Sequence, residues 1–157
     1  MRNLIFFFLI LCFSSCALAV LPTAGTECTI TTPGPINFGI YNPLSTFSDN
    51  VYEEMQINCS GTGSVSYTVN IAGGNAGSAK QRYMEREGTT DPQLNYNIYN
   101  DRGKIWKDGQ NGTYHLIATE PLPANMVYSI AAKIPARQKN IFPGVYSDDT
   151  VNIEMTY

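Results

Sequence analysis

Few residues of this chain have the types and spacing that chemistry requires. Asp148-Asp149 is an adjacent acidic pair. Neighbours on an extended chain point to opposite sides, so the two cannot face one substrate as paired glycosidase carboxylates do. A turn or strand-entry role fits them better. His115 is the only histidine and has no triad context around it, which favours a lone surface or packed imidazole. Gly73-Gly74-Asn75 is not followed by a strand–helix phosphate pattern and reads as loop. Asn111-Gly112-Thr113 matches a glycosylation sequon, a three-residue pattern that chance supplies easily. Trp106 with Tyr99 and Tyr114 could stack on a sugar; sheet packing and edge contacts are the favoured alternative. These residues make no enzyme, and no cofactor or metal site is expected.

The cysteines carry the clearest chemistry. Met1-Arg2-Asn3 is cationic, Leu4 to Phe13 is nearly all apolar, and Ala17-Leu18-Ala19 is a small-x-small cleavage signature. Residues 1–19 therefore read as a cleaved signal peptide, too short an apolar run to span a bilayer comfortably. Lipoprotein cleavage at Cys16 is a minor alternative, because Phe13 suits that site poorly. Cutting before Val20 removes 19 of 157 residues and leaves 138, enough for one domain (20–157) with a real core. Cys12 and Cys16 leave with the signal. Cys28 and Cys59 remain, and an even pair in an exported protein reads as a disulfide. Closing such a loop is worth about 3–4 kcal/mol in the chain-entropy model. With Arg2 removed, 9 basic residues face 13 acidic ones, a net charge of −4. That balance argues against nucleic acid or an anionic membrane as partner.

The elements that must position these residues are strands. From Thr150 onward the chain alternates: Val151, Ile153, Met155 and Tyr157 on one face, Thr150, Asn152, Glu154 and Thr156 on the other. Period two means a strand with one buried face. Val51, Met55, Ile57 and Cys59 share a face, with Glu53 as the exception. Val65, Tyr67, Val69 and Ile71 share the next. With Ser60-Gly61-Thr62-Gly63 between them, these two strands are expected to form a hairpin. Cys28–Thr31 is a first strand, and Ile36–Tyr41 is extended. Residues 73–92 read as a long loop with a helical turn near Gln81–Glu87. Leu94, Tyr96 and Ile98 mark a strand, Ile105-Trp106 and His115–Thr119 short ones, and Met126 to Ile134 a longer one. Short strands at this spacing without a convincing helix favour an antiparallel sandwich. An immunoglobulin-like sandwich needs one more strand after the terminal one, and none is left.

The chain also resembles the spore coat protein U domain family, which includes Csu-type subunits of archaic chaperone–usher pili. The matching stretches are Phe38-Gly39-Ile40-Tyr41-Asn42-Pro43-Leu44-Ser45; Ile57-Asn58-Cys59 with Tyr67-Thr68-Val69; Leu94 to Asp101; Trp106-Lys107-Asp108-Gly109; Ile134-Pro135-Ala136-Arg137-Gln138; and Gly144 to Asp149 with Met155-Thr156-Tyr157. The resemblance implies an incomplete immunoglobulin-like β-sandwich that lacks its final strand and is completed by donor-strand addition. It implies an acceptor groove that takes in Val151, Ile153, Met155, Tyr157, Ile36 and Phe38. Its partners would be a periplasmic pilus chaperone, an outer-membrane usher and other pilus subunits. The product would be an adhesive surface pilus that supports attachment and biofilm formation, reached through the periplasm.

One departure stands out. Subunits of this kind usually carry an alternating apolar donor segment before the first cysteine. Here Val20–Glu27 is short, Pro22 lacks an N–H, and Val20 and Leu21 would point to opposite faces. The chain is expected to accept a strand better than it donates one, which suggests a tip or minor position. The rival reading is a solitary secreted carbohydrate-binding or spore or cell-coat β-sandwich protein using the aromatics around Trp106. An exported hydrolase is a weaker third, for want of a catalytic constellation.

Overall fold

In a computed structural model, residues 25–32, 34–109 and 114–157 are described. The expected signal peptide (residues 1–19), most of the Val20–Glu27 stretch and the Asn111 sequon match lie outside them. Nine strands follow in order: β1 Glu27–Thr31, β2 Asp49–Ser60, β3 Ser64–Ile71, β4 Arg82–Arg86, β5 Leu94–Tyr99, β6 Leu116–Pro121, β7 Ala124–Ile134, β8 Tyr146–Ser147 and β9 Ile153–Thr156. Among the described residues one 3-10 turn, Gly74–Ala76, interrupts them. They form a six-stranded sheet, β1-β2-β7-β5-β4-β8, and a three-stranded sheet, β6-β3-β9. Each ladder is antiparallel.

The alternating faces meet in one core. Met55 and Ile57 from β2, Val65, Tyr67, Val69 and Ile71 from β3, Tyr96 and Ile98 from β5 and Ile130 and Ile134 from β7 are buried together with Trp106. Cys28 and Cys59 sit directly opposite each other in the β1–β2 ladder and are bonded. Tyr67 and Tyr128 share a hydroxyl–hydroxyl hydrogen bond of 2.6 Å across the sandwich.

Four expectations need correction. β2 and β3 are not a hairpin. β2 pairs with β1 and β7, and β3 pairs with β6 and β9. The Ser60–Gly63 link crosses from one sheet to the other, pinned by the Leu122 N–H donating to the Gly63 carbonyl at 2.9 Å. Two alternating strands bury their apolar faces equally well side by side or face to face, so period two does not separate the cases. Residues 81–87 hold no helical turn. They contain β4, in which Arg82 and Met84 are buried and which pairs with β5 and β8. The Ile105-Trp106 strand shrinks to one bridge, Tyr99 to Ile105. The terminal strand begins at Ile153, not Thr150.

Candidate functional site

The terminal strand lies at an edge. β9 pairs with β3 through Thr68–Ile71, and among the described residues no strand pairs with its other side. Across the sandwich β1 is likewise an edge, and its ladder with β2 stops at Thr31. The chain then runs on without a ladder through residues 34–41. Between these two runs the core is open. The opening is a groove of about 1110 Å³, with Ile98, Ile130 and Ile134 among its deep apolar residues.

Of the residues expected here, Ile36 and Phe38 line the groove from one side and Val151 and Ile153 from the other. Met155 and Tyr157 stand outside it. Met155 lies opposite Val69 in the β3–β9 ladder and packs against the core. Tyr157 follows the last paired residue and is 44% exposed. The groove therefore takes in the start of β9 and the chain leading to it rather than the whole alternating face. That lead, Ile141 to Asn152, supplies much of the wall. Alternation along one strand could not reveal it.

Hydrogen bonds fix both walls. On one side the Tyr41 hydroxyl donates to the Pro135 carbonyl at 3.0 Å and accepts from the Gln138 N–H at 3.1 Å. Gln138 in turn brackets Asn95 with two bonds of 2.9 and 2.7 Å. Phe38 meets the Tyr96 ring edge-on at 6.1 Å between centroids. On the other side Asp148 is the hub. Its carboxylate accepts from the Tyr96 hydroxyl at 2.9 Å, the Asn75 N–H at 3.1 and 3.2 Å, the Thr150 N–H at 3.2 Å and the Thr150 hydroxyl at 2.8 Å. Burial first, and then the Asp148 charge and hydrogen bond, hold the Tyr96 phenol well above its ordinary pKa, so it remains a donor. Gly74, at φ +64°, leaves room for this carboxylate; a Cβ there would collide with it.

The strongest local polar feature has no signature as a motif. Arg82 is fully buried. Its guanidinium donates to the Ala72, Ile71 and Trp106 carbonyls at 2.8, 2.8 and 2.9 Å and to the Asn97 side chain at 2.8 Å. Burial pulls its pKa down, while Tyr96, Asp148 and Asp108 oppose that. The fork geometry of arginine satisfies three chain segments at once.

The other chemical candidates resolve into packing. Trp106 is 1% exposed, donates its indole N–H to the Val69 carbonyl at 3.0 Å, and meets Tyr114 edge-on. A buried indole offers no face to a sugar, which removes the aromatic platform around Trp106. Tyr99 is half-buried with the Lys133 ammonium over its ring at 5.1 Å. His115 is half-buried against Gly109. Asp148 and Asp149 divide as strand-entry residues should: the first is bonded inward and the second is exposed. Among the described residues no group of three or more His, Cys, Asp or Glu could hold a metal ion.

The molecule is thus an immunoglobulin-like β-sandwich that lies open where a strand beyond β9 would sit. Residues 14–154 match the Spore Coat Protein U domain, and the chain belongs to that family. Among solved structures it is similar to a chain of the CsuC–CsuE chaperone–tip adhesion subunit pre-assembly complex from the archaic chaperone–usher Csu pili of Acinetobacter baumannii. There the TM-score is 0.55 at 22% identity, over 84% of this chain and 40% of that one. It is also similar to a chain of a chaperone–tip adhesin complex described as vital for synergistic activation of CFA/I fimbriae biogenesis. That likeness has a TM-score of 0.56 at 16% identity, over 83% of this chain and 41% of the other. At these identities the likeness is one of fold, and this chain spans about 40% of the length of the matched chains. No curated protein matches the chain.

Proposed function

We propose that the chain is a structural subunit of an adhesive surface pilus assembled by a chaperone–usher pathway. Its groove takes an extended strand, first from a periplasmic chaperone and then from another subunit, with an outer-membrane usher between. The observation that carries this reading is the apolar groove beside the unpaired edge of β9. A strand laid there would add backbone hydrogen bonds to β9 and place alternate side chains on Ile98, Ile130 and Ile134. Membership of the spore coat protein U family supports it. The signal-like residues 1–19 support export, and Pro22 in the stretch before Cys28 supports a tip or minor position. The role is structural, not catalytic.

The test is co-expression with a pilus chaperone. The expected result is a subunit recovered as a one-to-one complex and lost to aggregation without the chaperone. A donor strand fused after Tyr157 through a flexible linker should replace the chaperone and raise the melting temperature. An unfused subunit that is already monomeric, and whose melting temperature the fused strand leaves unchanged, would refute the reading. Deleting Val20–Thr26 should leave chaperone binding intact.

A further inference from the structure

The groove is apolar but not neutral. Among the described residues its charged lining residues are Glu53, Asp148 and Asp149, all acidic, with no lysine or arginine among them. Asp148 already accepts hydrogen bonds from Tyr96, Asn75 and Thr150, and Asp149 is exposed. Arg86 does not line the groove and lies over the Phe142 ring at 5.7 Å. Glu53 differs from both aspartates. It occupies the inward face of β2 between Val51 and Met55, the position that broke the apolar alternation in the sequence. It sits across the ladder from Ile130, which is 2% exposed. Among the described residues no hydrogen bond or ion pair reaches its carboxylate. While the groove is open, this half-buried carboxylate faces solvent and keeps the hydration an ionised group needs. A strand that fills the groove removes that water and leaves the charge uncompensated unless the strand brings a cation.

We propose that Glu53 sets the specificity of the groove, selecting an occupying strand that carries lysine or arginine at the inward position lying against it. The inference rests on the reading of the groove as a strand acceptor. The remaining inward positions face Ile98, Ile130 and Ile134 and call for apolar side chains. An interior β2 glutamate is a liability for a groove meant for any apolar strand, and an asset for one that rejects wrong partners.

The experiment uses the chain with an alternating strand fused after Tyr157. One version is all leucine at the inward positions, and others carry lysine or glutamate at each of these in turn. Each is measured by denaturant unfolding in the wild-type chain, in Glu53→Gln and in Glu53→Lys. Lysine is expected to be favoured over glutamate at one position by on the order of 10-fold in the unfolding constant. The preference should vanish in Glu53→Gln, invert in Glu53→Lys, and weaken at high salt. A lysine penalty equal at every position and independent of residue 53 overturns the proposal while leaving the groove an acceptor. If even the all-leucine strand gives no stabilisation, the acceptor reading itself fails, and this inference with it.

Discussion

Asp148 should be the residue through which the groove wall is anchored, and a double-mutant cycle with Tyr96 measures it. Tyr96→Phe removes one hydrogen bond to a charged acceptor, worth about 1.5–3 kcal/mol, while Asp148 keeps its bonds to Asn75 and Thr150. Asp148→Ala leaves the Tyr96 hydroxyl without an acceptor in a residue only 6% exposed. It also releases the Asn75 N–H and both Thr150 donors, which lie nearer solvent and can turn to water. Losing the carboxylate should therefore cost about 3 kcal/mol. If Tyr96 is the main buried partner, the two changes overlap. The double variant should then be more stable than the sum of the singles by about 1–2 kcal/mol. Guanidinium unfolding followed by the fluorescence of Trp106, buried in the core, provides the free energies. The chain between β8 and β9 should also loosen, so Asp148→Ala should weaken stabilisation by a fused strand more than Tyr96→Phe does. Additivity within about 0.5 kcal/mol would refute the hub.

Three further outcomes are expected. Arg82→Met should destabilise by about 3–5 kcal/mol, because it strips donors from buried carbonyls of Ile71, Ala72 and Trp106; an unfolding midpoint close to wild type would contradict this. Burial and the Tyr128 hydroxyl raise the Tyr67 phenol, and burial and Asp148 raise that of Tyr96, above the ordinary 10.0. Both groups stabilise the fold fully below about pH 10 and lose that contribution as pH climbs toward their folded values, so melting temperatures should fall in that alkaline range, and less steeply in Tyr67→Phe. Replacing Cys28 and Cys59 together by alanine should cost about 2–5 kcal/mol, read as a lowered denaturation midpoint against the oxidised chain, whose non-reduced peptide map should show the link.

Much of the architecture is legible in the amino-acid order. The inward residues of β2, β3, β5 and β7 are the apolar alternates of the sequence, and Cys28 and Cys59 are the pair expected to bond. Both signals are local or compositional. Burial of one strand face leaves period two in the chain whatever it packs against. The same holds for Glu53, whose break in that period stands out along β2.

Which apolar residues of the alternating strands go inside, and that the fold is built from strands, can thus be read from the residues alone. Which strand pairs with which, and therefore where the groove lies, depends on the assembled molecule. The Ser60–Gly63 link suits a hairpin, yet β2 and β3 face each other across the core, because pairing is a relation between distant segments and leaves no trace in either alone. Arg82 has the look of loop charge in the sequence, and only in the fold do carbonyls from Ile71, Ala72 and Trp106 converge on it. The groove is assembled the same way, from residues 34–41, β2, β5, β7 and the lead into β9. Its wall is fixed by Asp148 reaching Tyr96, 52 residues away in sequence, a contact that exists only once β5, β4 and β8 stand side by side in one sheet.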